Sequence, residues 1–205
     1  MKKSLFIALE GIDGSGKSTQ AKLLKDKLET EGLKVHLTQE PTNHPVGILL
    51  RDIFNHKTEA DHHAIAALFA ADRLEHLLNK KDGIIHLLEQ GYTVITDRYY
   101  FSSYAYHSVH VPMNWVIELN RISAELLRPD LNIYIDLDPQ SAMKRLHSGR
   151  SSTELYETKE NLINVRNKYL EAFELLKQEE KIYVTDGNRS EVEIAMDIYK
   201  AIKGI

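Results

Sequence analysis

The stretch that decides the fold is SLFIALEGIDGSGKST, residues 4–19. A short apolar run leads into Gly11, and Gly16, Lys17 and Ser18 follow after four intervening residues. This spacing is typical of a loop whose backbone N–H groups hold nucleotide phosphates at the start of a helix. The sequence predicts the required strand before the loop and the required helix after it. The stretch therefore predicts a nucleoside triphosphate site.

The rest of the chain repeats the strand–helix alternation. Five apolar, β-branched-rich runs occupy residues 4–9, 34–39, 92–96, 131–137 and 181–185. Segments of helical period separate them, which favours a parallel sheet with helices on both faces. We expect an α/β fold with a five-stranded parallel sheet, formed by one domain over residues 1–205. The segment from about 145 to 157 is polar at SGRSSTELYE (148–157) and predicts a mobile flap.

Composition narrows the class of protein. The 205 residues carry 26 Lys+Arg against 30 Asp+Glu, a net charge of −4, and the basic residues are scattered. This argues against a nucleic-acid partner, which would need a clustered basic face. No run approaches the length of a membrane span, and the apolar stretch after Lys3 runs straight into the phosphate loop, which argues against a signal peptide. We expect a cytoplasmic protein without nucleic-acid or membrane partners.

Each polar residue of the loop has an expected task. Lys17 reaches the β- and γ-phosphates, and the Ser18 hydroxyl is a ligand for Mg²⁺. Asp97 ends a buried strand, at the sheet edge where ligands of open parallel sheets bind, and is expected to join the Mg²⁺ shell. The predicted nucleotide site comprises Gly11, Ile12, Asp13, Gly14, Ser15, Gly16, Lys17, Ser18 and Thr19.

The chain also offers features for a second substrate. It is too short for the coupling machinery of an ATPase motor. Arginines at predicted element ends and in the flap suit a second phosphorylated substrate: Arg51, Arg73, Arg98 and Arg150. Phe69 and Arg73 are four apart on one helix face, where a ring can stack on a base and a guanidinium bond its edge. The alternative is a buried phenylalanine with the arginine extended over it.

Five segments together resemble the thymidylate kinase family. They occur in order as EGIDGSGKST (10–19), TQEPTNHPVGILLR (38–51), LFAADR (68–73), DRYYFSSYAYHS (97–108) and GRSSTELYE (149–157). The resemblance covers roughly residues 4–190 and implies a P-loop kinase fold with a mobile flap. It also implies transfer of the γ-phosphoryl group of ATP to dTMP with Mg²⁺, and a homodimer. The apolar positions of 64–78 and 115–127 are candidates for the dimer face or for core.

The resemblance implies roles in the acceptor site. Phe69 would stack on thymine and Arg73 would bond its O4 edge, while Arg51 and Arg98 would clamp the monophosphate. Asp13 would lie near the sugar 3′-hydroxyl and the accepted phosphate. The remaining implied positions line the base and sugar or close the flap: Ser103, Tyr106, Tyr156 and Glu157. Glu157 is also assigned to the Mg²⁺ shell with Ser18 and Asp97.

The catalytic cation has to come from outside the loop, because the loop contains no arginine. The flap then supplies it, with Arg150 the first candidate and Arg145 the second; Lys17, Arg98 and Asp13 complete the catalytic set. His107 and Thr42-Asn43 depart from the residues that many relatives carry, and no site role is assigned to them.

Two alternatives to a dTMP kinase stay open. One is another nucleoside or nucleoside monophosphate kinase of the same fold, which would differ in the base pocket. The other is a nucleotide-binding regulatory ATPase, whose ADP release would not depend on an acceptor.

Overall fold

The structure, a computed structural model, describes residues 4–149, 156 and 158–205. Its strands coincide with the five apolar runs. They are β1 (Phe6–Glu10), β2 (Val35–Gln39), β3 (Thr93–Asp97), β4 (Leu131–Asp136) and β5 (Ile182–Asp186). They form one sheet in the order β2-β3-β1-β4-β5, and every neighbouring pair is parallel. The predicted five-stranded parallel sheet is confirmed. The single-domain organisation stays a prediction.

Helices connect the strands. They are α1 (Lys17–Thr30), α2 (Pro45–Phe54), α3 (His62–Leu78), α4 (Ile84–Glu89), α5 (Tyr100–His107), α6 (Met113–Leu119), α7 (Arg121–Leu126), α8 (Pro139–Gly149), α9 (Lys159–Leu176) and α10 (Glu191–Lys203). Side-chain oxygens of Asp61, Thr158 and Ser190 accept backbone N–H groups at the starts of α3, α9 and α10. These caps fix where the three helices begin. Within the described residues, no helix is both long and apolar enough to cross a membrane.

Both faces of the sheet are buried. Phe6 and Ala8 of β1 belong to a cluster with side chains of α5 and α9, while Ile7 and Leu9 belong to a second cluster with side chains of α1 and α10. Because successive side chains of a strand point to opposite faces, the two clusters lie on opposite sides of the sheet. This explains why β1 is apolar from Phe6 to Leu9 rather than alternating.

The site forms where the strand order reverses. β1 lies between β3 and β4, and its residue Leu9 is in register with Asp97 of β3. The loop after β1 and the residues after β3 therefore meet at one carboxyl edge of the sheet, the usual ligand position in such folds. A third apolar cluster joins α2 to α3 and includes Phe69.

Candidate active site

The loop between β1 and α1 is built to receive anions. Gly14 and Gly16 have positive φ values of 79° and 96°, and a Cβ at Gly14 would lie 2.9 Å from the Ala142 carbonyl oxygen. Only glycine fits that place. No side chain caps the start of α1, so its first N–H groups face the loop.

Lys17 lies folded back into this loop. Its Nζ donates to the carbonyl oxygens of Gly11 and Ile12, at 3.0 and 3.1 Å. Burial lowers the pKa of Lys17 to about 8, and the nearby charge of Arg98 adds to the effect. Residues 13–19 line a cavity of about 680 Å³. Gly11 and Ile12, also predicted to bind nucleotide, are not among the residues that line this cavity, and they supply carbonyls to Lys17.

A hydroxyl and a carboxylate meet at the mouth of the loop. Ser18 Oγ donates to Asp97 Oδ2 at 2.5 Å. Both side chains line the large cavity. Such hard oxygen atoms are the ligands that Mg²⁺ prefers, so this pair fits the ion predicted from the sequence. The third predicted ligand, Glu157, lies outside the described residues.

Arg98, Asp13 and Tyr106 form a closed triangle. Arg98 Nη2 donates to Asp13 Oδ1 and, at 3.2 Å, to the Tyr106 hydroxyl, which donates to Asp13 Oδ2 at 2.8 Å. The guanidinium carbon also lies 4.7 Å from the centroid of the Tyr106 ring. Burial favours a higher pKa for Asp13, but the charges of Arg98 and Lys17 outweigh it and lower that pKa. Asp13 is therefore a carboxylate held beside two cations.

A second cavity, of about 320 Å³, adjoins this triangle. Its lining includes the charged side chains of Asp13, Arg98 and Arg51 and several aromatic rings. The predicted acceptor residues that line it are Asp13, Arg51, Phe69, Arg98, Ser103, Tyr106 and Tyr156. Asp13, Gln39 and Arg98 line both cavities, so the two cavities adjoin at these side chains.

Arg51 is oriented by main-chain carbonyls. Its Nη1 donates to the Pro41 carbonyl at 2.8 Å, and its Nη2 donates to the Thr42 carbonyl at 2.5 Å and to Asn43 Oδ1 at 3.1 Å. The Thr42-Asn43 pair, which had no role from the sequence, thus holds the guanidinium that faces the cavity.

Arg73 is not among the side chains that line the cavity. It is fully buried, and its Nε and Nη2 donate to Glu40 Oε2 at 2.9 and 2.5 Å. Its Nη1 donates to Ser103 Oγ at 3.0 Å and to Asn120 Oδ1. The structure therefore places Arg73 behind the wall, where it supports Ser103. Phe69 lines the cavity, whereas Arg73, one turn later in α3, does not.

Two features of the second cavity, called the acceptor cavity after the residues predicted for it, were missed from the sequence. His107 lies in the wall, with its ring centroid 4.9 Å from that of Phe69, and its Nδ1 has no partner among the described residues. Burial lowers the pKa of His107 to about 3, aided by the charge of Arg73. Its position four residues after Ser103 in α5 was the available signal. Phe54 of α2 also lines the cavity and packs its ring 5.6 Å from Tyr156.

The predicted flap is only partly described. Its first candidate arginine, Arg150, lies outside the described residues. Of residues 150–157 only Tyr156 is described, and it lines the smaller cavity. Arg145 lines the large cavity, and its Nη2 donates to the Gly187 carbonyl at 2.9 Å. This contact joins α8 to the turn after β5. That turn contributes Arg189 to the same cavity and was not predicted to belong to the site.

Comparison with known proteins gives the family. The family model described as thymidylate kinase matches residues 9–198. Three relatives bear the name probable thymidylate kinase. The Pyrococcus horikoshii protein is 41% identical over 179 residues, 84% of each chain. The Staphylothermus marinus protein is 37% identical over 198 residues, 96% of this chain and 94% of the relative. The Methanocaldococcus jannaschii protein is 38% identical over 194 residues, 94% and 92% of the two chains.

The match to the family model extends over the loop, the triangle and both cavities. The five-stranded parallel sheet agrees with the P-loop kinase fold that the sequence resemblance implied. The chain belongs to the thymidylate kinase family.

Proposed function

We propose that this protein transfers the γ-phosphoryl group of ATP to dTMP and releases dTDP and ADP. The observation that carries the proposal is the junction of the two cavities at Asp13 and Arg98. A monophosphate in the smaller cavity would face the donor phosphates held by the loop. Phosphoryl transfer needs this in-line approach, with positive charge around the transferred group.

The donor side has the parts that ATP requires. The loop N–H groups and Lys17 would hold the β- and γ-phosphates. Ser18 and Asp97, joined in the proposal by Glu157, would hold Mg²⁺. Bound Mg²⁺ neutralises charge on the β- and γ-phosphate oxygens.

The acceptor side has the parts that a pyrimidine nucleotide requires. Arg51 and Arg98 would clamp the monophosphate by charge-assisted hydrogen bonds. Phe69 would stack on the base, and Asp13 and Tyr106 would contact the sugar and the accepted phosphate. Ser103 would line the base pocket, Tyr156 would cover it, and contact of Arg73 with the base edge stays a prediction of the family resemblance.

The remaining element is a cation for the transition state. The flap arginines are proposed to supply it, with Arg150 first and Arg145 second, because the loop itself has none. An arginine brought to the transferring group is worth about 10³–10⁵ in kcat.

The protein is proposed to be cytoplasmic and to form a homodimer. Large apolar side chains are exposed on neighbouring helices: Leu78 of α3, Trp115 of α6, and Ile122 and Leu126 of α7. Contacts between α3, α6 and α7 place these helices side by side. An apolar surface shared by adjacent helices is typical of a protein–protein interface.

An acceptor panel tests the reaction. ADP release is measured with ATP and Mg²⁺ alone and with each of dTMP, dUMP, dCMP, dAMP, dGMP and UMP. We expect dTMP to give the highest kcat/KM, and Lys17→Ala to abolish the acceptor-dependent rate without loss of the folded state. ADP release that ignores every acceptor would indicate the regulatory ATPase, and a different best acceptor would indicate another kinase of the fold.

A further inference from the structure

The backbone of Arg98 is held in an unfavourable conformation. Its φ is +76°, in the left-handed region that side chains with a Cβ rarely adopt. Three hydrogen bonds of 2.9 Å hold the residue there. Arg98 N–H donates to the Leu9 carbonyl, Thr96 Oγ1 donates to the Arg98 carbonyl, and the following N–H, of Tyr99, donates to Glu10 Oε1.

The acceptor of the third bond is the buried carboxylate of Glu10, which is also linked to the Arg98 side chain. Glu10 Oε2 accepts from Ser102 Oγ at 2.6 Å and from the Tyr169 hydroxyl at 2.9 Å. Ser102 Oγ in turn accepts from Arg98 Nη1 at 3.1 Å. One carboxylate is therefore linked both to the backbone next to Arg98 and, through Ser102, to its guanidinium.

The charge state of Glu10 suits this task. The side chain is fully buried, and a buried carboxylate is costly unless hydrogen bonds satisfy it. Three donors, one backbone N–H and two hydroxyls, face its two oxygens, which satisfies the ionised form. Burial raises the pKa of Glu10, while Ser102 and Arg98 oppose that rise. Glu10 lines neither cavity, so its influence on a substrate passes through other residues.

We infer that Glu10 is a positioning residue for the arginine at the junction of the two cavities. Through Tyr99 N–H and the Ser102 hydroxyl, its carboxylate aims the Arg98 guanidinium at the place where the acceptor phosphate meets the donor. This inference rests on the proposed role of Arg98 in dTMP phosphorylation.

Glu180 is a buried carboxylate that, unlike Glu10, has no link within the described residues to a residue of either cavity. Its side chain is equally buried and accepts from the Tyr100 hydroxyl at 2.6 Å, from Asn132 Nδ2 at 3.1 Å and from Arg128. None of these donors lines either cavity. Glu180→Gln is therefore the matched control for Glu10→Gln, because both remove a buried charge that three donors satisfy.

The test is a double-mutant cycle read by steady-state kinetics with dTMP, ATP and Mg²⁺. Glu10→Gln presents an N–H where Ser102 or Tyr169 now donates, so Arg98 shifts. We expect kcat/KM for dTMP to fall about 10- to 100-fold, since small misplacements of a catalytic group cost this much, and KM for ATP to stay within about twofold. Glu180→Gln should lower Tm yet keep kcat/KM for dTMP within about twofold. In the Arg98→Ala enzyme, Glu10→Gln should change the residual rate by less than about twofold.

An equal fold-loss from Glu10→Gln in the wild-type and Arg98→Ala backgrounds would overturn the inference, as would a wild-type rate for Glu10→Gln. If Glu10→Gln does not fold, Ser102→Ala takes its place in the cycle, because the link to the guanidinium runs through that hydroxyl. An additive loss for Ser102→Ala again overturns it. A wild-type protein with no dTMP-dependent ADP release would overturn the proposed function as well, which separates the two failures.

Discussion

His107 is a titratable side chain enclosed by the acceptor cavity wall, and its burial makes stability depend on pH. The unfolded chain binds a proton at His107 below pH 6.5, whereas the folded protein does not until about pH 3. Stability is therefore lost as pH falls from 6.5 towards 3. At pH 5 the expected loss is about 2 kcal/mol, from 1.36 kcal/mol for each pKa unit.

The comparison of wild type with His107→Gln isolates this effect. Urea unfolding at pH 7 and at pH 5 gives the change in free energy of unfolding for each protein, and all other titrating groups contribute equally to both. The variant should lose about 2 kcal/mol less than the wild type on acidification. If the two proteins lose the same stability, the imidazole is not held neutral in the folded state.

The sequence predicted those site residues whose positions depend on local spacing along the chain. Lys17, Ser18 and the loop glycines follow from one motif, and Asp97-Arg98 from the end of one strand. Arg73 and His107 could not be placed in the same way, because their environment is made by residues far along the chain. Glu40, the residue after β2, accepts hydrogen bonds from the Arg73 guanidinium. No sequence pattern near Arg73 indicates that partner.

Helix α3 is both a wall of the acceptor cavity and an anchor for the segment after β2. Phe69 carries the first task, because its ring lines the cavity next to His107. Phe69→Ala should weaken dTMP binding by about 1–3 kcal/mol, the range for a base–aromatic stack, and leave ATP binding unchanged. Calorimetric titration with each nucleotide measures both.

Phe173→Ala is the matched control for Phe69→Ala. Phe173 is about as buried but lies in the core cluster and lines neither cavity, so its loss should lower stability alone. Equal losses of dTMP and ATP affinity in Phe69→Ala would mean that the variant disturbs the whole site rather than a stack.

Arg73 carries the second task of α3. Removing it leaves the Glu40 carboxylate buried without its cation, so Arg73→Ala should lower the free energy of unfolding by about 3–5 kcal/mol. Adding Glu40→Gln to that variant should recover part of the loss, because the uncompensated charge is gone. Denaturant titration of the three variants checks this. A double variant no more stable than Arg73→Ala would contradict the charge argument.

Arg145 of α8 and Arg150 of the flap are expected to have different tasks. Arg145 is tied to the Gly187 carbonyl on the donor side, so Arg145→Ala should raise KM for ATP more than it lowers kcat. Arg150 is expected to meet charge that develops only in the transition state, so Arg150→Ala should lower kcat by about 10³ with little change in dTMP binding. Single-turnover rates separate the two effects. If both variants keep kcat within about threefold, the cation comes from elsewhere, with Arg98 the next candidate.

For the whole molecule, the apolar runs determined the sheet and the motifs determined which edge binds ligands. What the sequence could not reveal is how the two cavities join. Gln39 ends β2 and lines both, but nothing near it in sequence distinguishes it from a solvent-exposed strand end. Its position follows from the register of β2 with β3, where Gln39 pairs with Asp97. A site formed by residues of several strands can be predicted only when the order of the strands is known.

The sequence also could not show which apolar side chains are exposed on the surface. The sequence offered 64–78 and 115–127 as either core or dimer face, and the fold divides them residue by residue. Phe69, Val116 and Ala124 are buried, whereas Leu78, Ile122 and Leu126 are exposed. A helical stripe cannot make this distinction, because a core face and an interface have the same apolar period.

Charge placed on the exposed face of α7 tests the dimer. The chain mass is 23.5 kDa, and we expect light scattering at micromolar concentration to give twice that value for the wild type. Ile122 is 51% exposed, so Ile122→Glu should leave the fold intact but bury a charge at the interface, and the mass should fall to that of one chain. Val192 is 66% exposed on α10, which packs on the other side of the sheet from α7, so Val192→Glu is the control that should stay dimeric. A wild-type mass of one chain would contradict the dimer outright. A dimer that survives Ile122→Glu would move the interface away from α7.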